Sequence, residues 1–375
     1  MKKLICLLLA VLSFAGLAGC KKNSSGNGEA VYLEKITVNG IEAENSDLKV
    51  ILPYEESFID IEVAVKEKCC YSVEGGMSRR VETGENKIEI AVRKSKDVQN
   101  YELTVVREEK SAGGVEINNT GELINAIENQ KENTIYYIND GLYDISESKT
   151  GFFINGASGY IFPVVKDGIS VIGVGDVCIY AERKDGRKIN ESSLITVAAD
   201  NVKIKNICLH PVFAGRNLTT ESIRVTDNTD SGKKIKNFTA ERCEFSPNTK
   251  NKKANAEYGG IFSADCAEAE NISVKRCLFQ CALFKSNSPA VLENCRFNGA
   301  SPYFTGGPDI EFETGKNGPY TAEIKNTEFI NTRKGDQTIR ARNNVTVLLT
   351  EIKIPYEDLK FYTAEGKENS KIEKV

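Results

Sequence analysis

The chain has no tryptophan and one histidine, His210, among its 375 residues. A histidine-based catalytic triad or a multi-histidine metal centre is thereby nearly excluded. A basic excess is also lacking. Without Lys2 and Lys3, which fall in the leader, 47 basic residues face 53 acidic ones, a net charge of −6. The charges are spread evenly and form no basic patch, so nucleic acid is not an expected partner. No zinc-type cysteine spacing is present. Cys69 and Cys70 are adjacent, and Cys277 with Cys281 lacks a second pair at ligand spacing. Past the leader, no apolar run is long enough to span a bilayer.

What is present begins with the leader itself. Lys2 and Lys3 precede an apolar run from Leu4 to Leu12, and Leu17-Ala18-Gly19 brings small residues up to Cys20. That order is a secretory signal, too short to remain as a membrane helix. Its ending resembles the lipobox of bacterial lipoproteins. The resemblance implies a signal peptide over 1–19, lipid on Cys20, and a membrane as partner through the acyl chains. Residues 20–29 are polar and rich in Asn, Ser and Gly, so they read as a flexible tether. Lys21 stands where an Asp is associated with inner-membrane retention. The expected location is the cell envelope, at the outer membrane or cell surface where the organism has an outer membrane.

Residues 30–108 alternate apolar and polar with period two, as half-buried strands do. Ile36-Thr37-Val38 ends at the turn dipeptide Asn39-Gly40, and Phe58 to Val65 forms a second strand. Ile88, Ile90 and Val92 follow Gly84-Glu85-Asn86, and Tyr101, Leu103 and Val105 close the series. Short strands between turns predict a β-sandwich. The same segments resemble the bacterial cadherin-like β-sandwich family, which implies a spacer or adhesion module without catalytic residues.

Residues 114–354 open with a helix predicted over Thr120 to Gln130, with Thr120 as N-cap. An internal repeat follows. Val202-Lys203-Ile204-Lys205-Asn206-Ile207-Cys208-Leu209 recurs as Phe238 to Phe245, Ile272 to Phe279, Ala290 to Phe297 and Ala322 to Phe329, at intervals of 18 to 36 residues. In a stack of turns about 4.8 Å apart, Ile207, Cys243, Cys277, Cys295 and Thr327 form one column. Phe245, Phe279, Phe297 and Phe329 form another. Asn206, Arg242, Arg276, Asn294 and Asn326 fall at a bend where asparagine tolerates left-handed backbone. Eleven cysteines less Cys6 in the signal and Cys20 leave nine, an odd number. Cys243, Cys277 and Cys295 are read as small reduced core residues, with disulfide pairing or metal ligation the competing reading. These features resemble the pectate-lyase-like, right-handed parallel β-helix superfamily. The expected fold is all-β: a β-sandwich, then a right-handed parallel β-helix with a short capping helix, then a charged C-terminal tail over 355–375.

In the families resembled, a second set of strands forms a polysaccharide groove. Here these are Leu194–Ala198, Ser222–Thr226, Gly260–Ala264, Ala282–Ser286, Asp309–Thr314 and Thr338–Arg342. With Ile310, Phe312, Ile339 and Ala341 inward, alternation turns Asp309, Glu311, Glu313, Arg340 and Arg342 outward, with Lys285 one turn earlier and Arg224 farther up. One reading is a uronate site. Asp309, Glu311 and Glu313 would hold calcium, and Lys285, Arg340 or Arg342 would act as base or carboxylate clamp. A hydrolase would instead use Glu311 with Glu313. The plainer reading is a set of cross-turn salt bridges. Tyr303 and Phe304, before Gly306-Gly307-Pro308, are candidates to stack on a sugar. The expected function is a surface lipoprotein that binds, and in the enzymatic reading cleaves, an acidic polysaccharide. The alternative is a non-catalytic adhesion or envelope-structure protein with the β-helix as a rigid shaft.

Overall fold

The computed structural model of the protein describes residues 32–44, 47–146, 160–181, 192–210, 220–226, 235–246, 261–264, 269–280, 282–299, 309–314, 319–331, 338–353, 361–363 and 370–375. The leader, Cys20 and the tether lie outside them. Among the described residues, no helix is long and apolar enough to cross a membrane.

The fold is all-β: an N-terminal sandwich and a parallel β-helix, with a short helix at the start of the latter. One sandwich sheet orders Ile41–Glu42, Leu33–Val38, Phe58–Val65 and Ser78–Arg80, all antiparallel. The other orders Lys49–Leu52, Asp97–Arg107, Gly84–Lys94 and Cys70–Val73, its first pair parallel. The period-two residues Ile36, Val38, Ile59, Ile61, Ile88, Ile90, Val92, Leu103 and Val105 fill the core between them. Asn39 and Gly40 both have positive φ, 51° and 78°, as a two-residue hairpin turn of primed type requires.

The helix spans Thr120–Glu128, shorter than expected, and its N-cap is Asn119 rather than Thr120. The Asn119 side chain accepts from the Glu122 amide at 3.0 Å, while the Glu122 carboxylate accepts from the Asn118 amide at 2.7 Å. This reciprocal box needs its cap three residues before the glutamate, which selects position 119 over 120. Leu123 and Ile127 face inward and cover the first turn of the β-helix.

Turns of the β-helix contribute a strand to an eight-stranded parallel sheet and, in the repeat copies, two short strands to a longer sheet, in which Ile135–Asp144, Ser170–Tyr180 and Val345–Thr350 run as single strands. The paired short strands are separated by two residues, the first of them in left-handed conformation: Asn206, Arg242, Arg276, Asn294 or Asn326, with φ between 44° and 56°. Directly after it, Ile207, Cys243, Cys277, Cys295 and Thr327 are buried in one column. The thiols of Cys243, Cys277 and Cys295 donate to the carbonyls of Ile204, Ala240 and Val274 on the preceding turn, at 3.4–3.6 Å. They are free cysteines, so the small-core reading holds and the disulfide reading does not. Phe245, Phe279, Phe297 and Phe329 stack ring on ring at 4.7, 4.4 and 5.3 Å. A second ladder, Asn201, Asn237 and Asn271, links side chain to side chain at 2.8 and 2.9 Å. The segment expected to be a charged tail extends the stack: Phe361–Thr363 pairs with Ile339–Arg342, and Lys371–Lys374 with Val345–Thr350. Its charge reflects an end position, where the outer side meets water and Ile372 alone of the last strand packs on the core.

The sandwich is docked against the outside of the longer sheet. Tyr54 meets Tyr137 edge to face at 5.1 Å, and Glu56 pairs with Arg242. Glu55 bonds Lys205 at 2.9 Å. Arg107 holds the docking segment by donating to the carbonyls of Tyr54 and Val81.

Candidate functional site

The eight-stranded sheet buries Phe284, Ile310, Phe312, Ile339 and Ala341 completely. The residues between them project outward. Register sets Lys285 beside Glu311, Glu311 beside Arg340, and Glu313 beside Arg342. A basic, acidic, basic column results.

The side chains in it are paired across turns. Arg340 donates to Glu311 at 3.2 Å, and the Arg342 guanidinium lies 3.9 Å from the same oxygen. Lys285 is 3.7 Å from Glu313, which also accepts from the Asn343 side chain at 3.2 Å. Exposure divides the group into two layers. Glu311 and Arg340 are sunk, with side chains 11% and 18% exposed, whereas Lys285, Glu313 and Arg342 stand above them at 44%, 32% and 36%. Arg224 lies two strands above Lys285, across from Ser263, and pairs with Glu221 at 3.8 Å.

Asp309 departs from the expected pattern. It is 1% exposed and precedes the strand Ile310–Glu313, so it does not line the outer face. The amides of Asp309 and Ile310 both donate to the Thr338 carbonyl, at 3.0 and 3.1 Å. That doubling interrupts the two-residue alternation at its first step. The oxygens of Asp309, Glu311 and Glu313 are not drawn together as a ligand set. Among the described residues, the group of three whose ligand atoms converge is Cys178, Cys208 and His210. Tyr303 and Phe304 lie outside the described residues.

Cys178, Cys208 and His210 form a half-buried cluster on the outer face of the longer sheet, and sequence reasoning assigned them no role. The Cys208 sulfur is 2.9 Å from His210 Nε2. The Cys208 thiol, donating to Cys178, lowers the latter to about 5, and His210 adds to this. The same bond raises Cys208, and bonding to Cys178 raises His210. The one sequence signal was Cys208-x-His210, whose alternation puts both on one side of a strand.

A cleft of about 400 Å³ runs along the seam between the sandwich and the β-helix, lined by Glu55, Glu56, Asp60, Lys205, Arg242 and Arg276 among others. Lys205 and Arg242 are paired with the two glutamates there, so this cleft belongs to domain docking.

The fold defines a parallel β-helix protein with an N-terminal β-sandwich. No protein-family model matches the chain, and no curated protein matches it. Solved structures similar to it include an alginate lyase from Paenibacillus sp., with TM-score 0.33 and 10% identity over 68% of this chain and 99% of that one. A pectin methylesterase variant in complex with a hexasaccharide has TM-score 0.40 and 12% identity over 70% and 90%. The catalytic unit of an α-1,3-glucanase from Streptomyces thermodiastaticus has TM-score 0.21 and 10% identity over 92% and 85%.

Proposed function

We propose that the protein is a lipid-anchored envelope protein that binds an acidic polysaccharide along the outer face of its eight-stranded sheet. The observation that carries this reading is the upper layer of the charged column. Lys285 and Arg342 flank Glu313 with exposed ends; Lys285 is held by a surface pair with Glu313, and Arg342 lies 3.9 Å from the sunken Glu311. Such pairs are worth about 0–1 kcal/mol, so a sugar carboxylate can replace Glu313 as the partner of Lys285 at little cost. Successive turns repeat about every 4.8 Å, which sets donors in line along an extended chain. Arg224 extends the line. Tyr303 and Phe304 are proposed as groups that stack on the sugar.

Binding rather than cleavage is favoured by the lower layer. Glu311, the central candidate base or nucleophile, is engaged by Arg340 and faces Arg342. A lyase step through it, with calcium on Glu311 and Glu313, would require that engagement to break.

A panel of uronate polysaccharides, presented with and without calcium, tests the reading. Binding to at least one is expected, weakened by salt. Lys285→Ala combined with Arg342→Ala should weaken it about tenfold or more, the worth of one charge-assisted hydrogen bond. Folded protein that binds none of the panel refutes the proposal. New ultraviolet absorbance from an unsaturated product would show lyase activity, and its loss in Glu311→Ala would bring Glu311 into the chemistry. Anchoring through Cys20 is tested separately by the mass of the N-terminal peptide and by its loss of lipid in Cys20→Ser.

A further inference from the structure

We propose that Cys178, Cys208 and His210 form a zinc(II) site on the outer face of the longer sheet, distinct from the polysaccharide face. Ser170–Tyr180 and Cys208–His210 are neighbouring parallel strands whose register sets Cys178 beside Cys208 and Tyr180 beside His210. Ile179 and Leu209, the residues between, are fully buried. Alternation therefore projects both sulfurs and the imidazole outward from a rigid surface.

All three ligand atoms lie within 4.8 Å of one another. A tetrahedral zinc ion binds sulfur at about 2.3 Å and nitrogen at about 2.0 Å, which places its ligand atoms roughly 3.5–3.8 Å apart. Small side-chain rotations bring the cluster to that shape. Two thiolates with one imidazole favour a thiophilic ion over calcium or magnesium, which take oxygen. The fourth direction has its own candidates. Glu244 stands across from Cys208 on the next strand, and Ser246 Oγ lies 3.3 Å from His210 Nε2. Glu244 closes the site directly or a water held beside Ser246 does.

The three residues belong to no other structure described above. They face away from the core, and their strands are not part of the eight-stranded sheet. Unlike Cys243, Cys277 and Cys295, the cysteines here are only half-buried, so an ion can reach them.

The competing chemistry is loss of two protons and two electrons to an oxidant, joining Cys178 to Cys208 as a disulfide. The test uses the purified full chain, first reduced and stripped of metal, then titrated with zinc(II) and with cobalt(II) as the spectroscopic probe. Binding of about one ion per chain is expected, with near-ultraviolet thiolate-to-cobalt bands that zinc abolishes. Cys208→Ser and His210→Gln should each weaken binding at least about a hundredfold. Cys70→Ser, which changes an exposed sandwich thiol, should leave it intact. Unchanged melting of the metal-free variants separates lost ligation from lost folding. Absence of the bands in folded protein, or binding that survives Cys208→Ser, overturns the site. So does a Cys178–Cys208 disulfide in protein isolated without reductant.

Discussion

Lys205 on the β-helix and Glu55 on the sandwich meet at 2.9 Å, their side chains only 7% and 11% exposed. Removing Lys205 takes the partner from the buried Glu55 carboxylate and one of two nearby lysines from Glu241, a loss of about 3–5 kcal/mol. Lys205→Met should therefore release the sandwich, seen as a lower first melting transition and as cleavage near residues 108–114 under limited proteolysis. Replacing both residues, Lys205→Met with Glu55→Leu, should restore most of the stability. Unaltered melting of the single variant would show that the seam does not depend on this pair.

The same seam should weaken in acid. Burial pushes the Glu241 carboxyl up, but Lys205 and Lys203 outweigh it and hold the group below its ordinary value. A carboxylate depressed in the folded state stabilises above its unfolded value of about 4.3 and loses that contribution as pH falls through the folded one. Stability measured from pH 6 downward should fall about where this glutamate protonates, and Glu241→Gln should flatten that fall.

The buried thiols set the opposite limb. Burial raises Cys295 to about 12 and raises Cys277 as well. An unfolded chain gives up these protons near pH 8.5, so the folded chain holds more of them above that point and stability declines as pH rises, by up to about 1.4 kcal/mol per unit for each thiol. Chemical denaturation across pH 8 to 10 checks the slope, and Cys295→Ala should reduce it. At pH 8, a thiol reagent should modify Cys277 and Cys295 only after unfolding.

Glu311 and Lys285 should respond differently to truncation. Glu311→Ala takes a charge-assisted hydrogen bond from the sunken Arg340 guanidinium and should lower the melting temperature, at a cost of about 1–3 kcal/mol. Lys285→Ala removes an exposed end and should leave melting within about 0.5 kcal/mol of the parent while weakening glycan binding. Equal thermal effects would mean that the two layers are not distinct.

Much of this architecture was readable because a parallel stack converts repetition in sequence into contact in space. The bend residues Asn206, Asn294 and Asn326, the cysteine column and the phenylalanine column all followed from aligning five copies. The Asn201–Asn237–Asn271 ladder was equally repetitive, but it sits one residue ahead of the aligned pattern and was passed over. The Cys178 position was hidden by an irregular copy. Ile172 pairs with Lys205 and Cys178 with Cys208, so the earlier turn carries three more residues between those points than the later one. Gly173, Val174, Gly175 and Asp176 occupy the stretch where later turns have a single asparagine or arginine. A Cβ on Gly173 would strike the Asn206 carbonyl oxygen, which explains the glycine there. The docking of Glu55 on Lys205 joins residues 150 positions apart in different domains, and no periodicity reports such a meeting.

The rings of Phe245, Phe279, Phe297 and Phe329 stay 4.4–5.3 Å apart although 18 to 34 residues separate successive ones along the chain. The register of the stacked strands is kept while the length of chain from one turn to the next varies. The molecule thus separates two kinds of inheritance: a stacked spine, intolerant of a single inserted residue because each side chain would swap inside for outside, and connections whose length differs from turn to turn while that spine keeps its register. New specificities can be grafted there without refolding the scaffold.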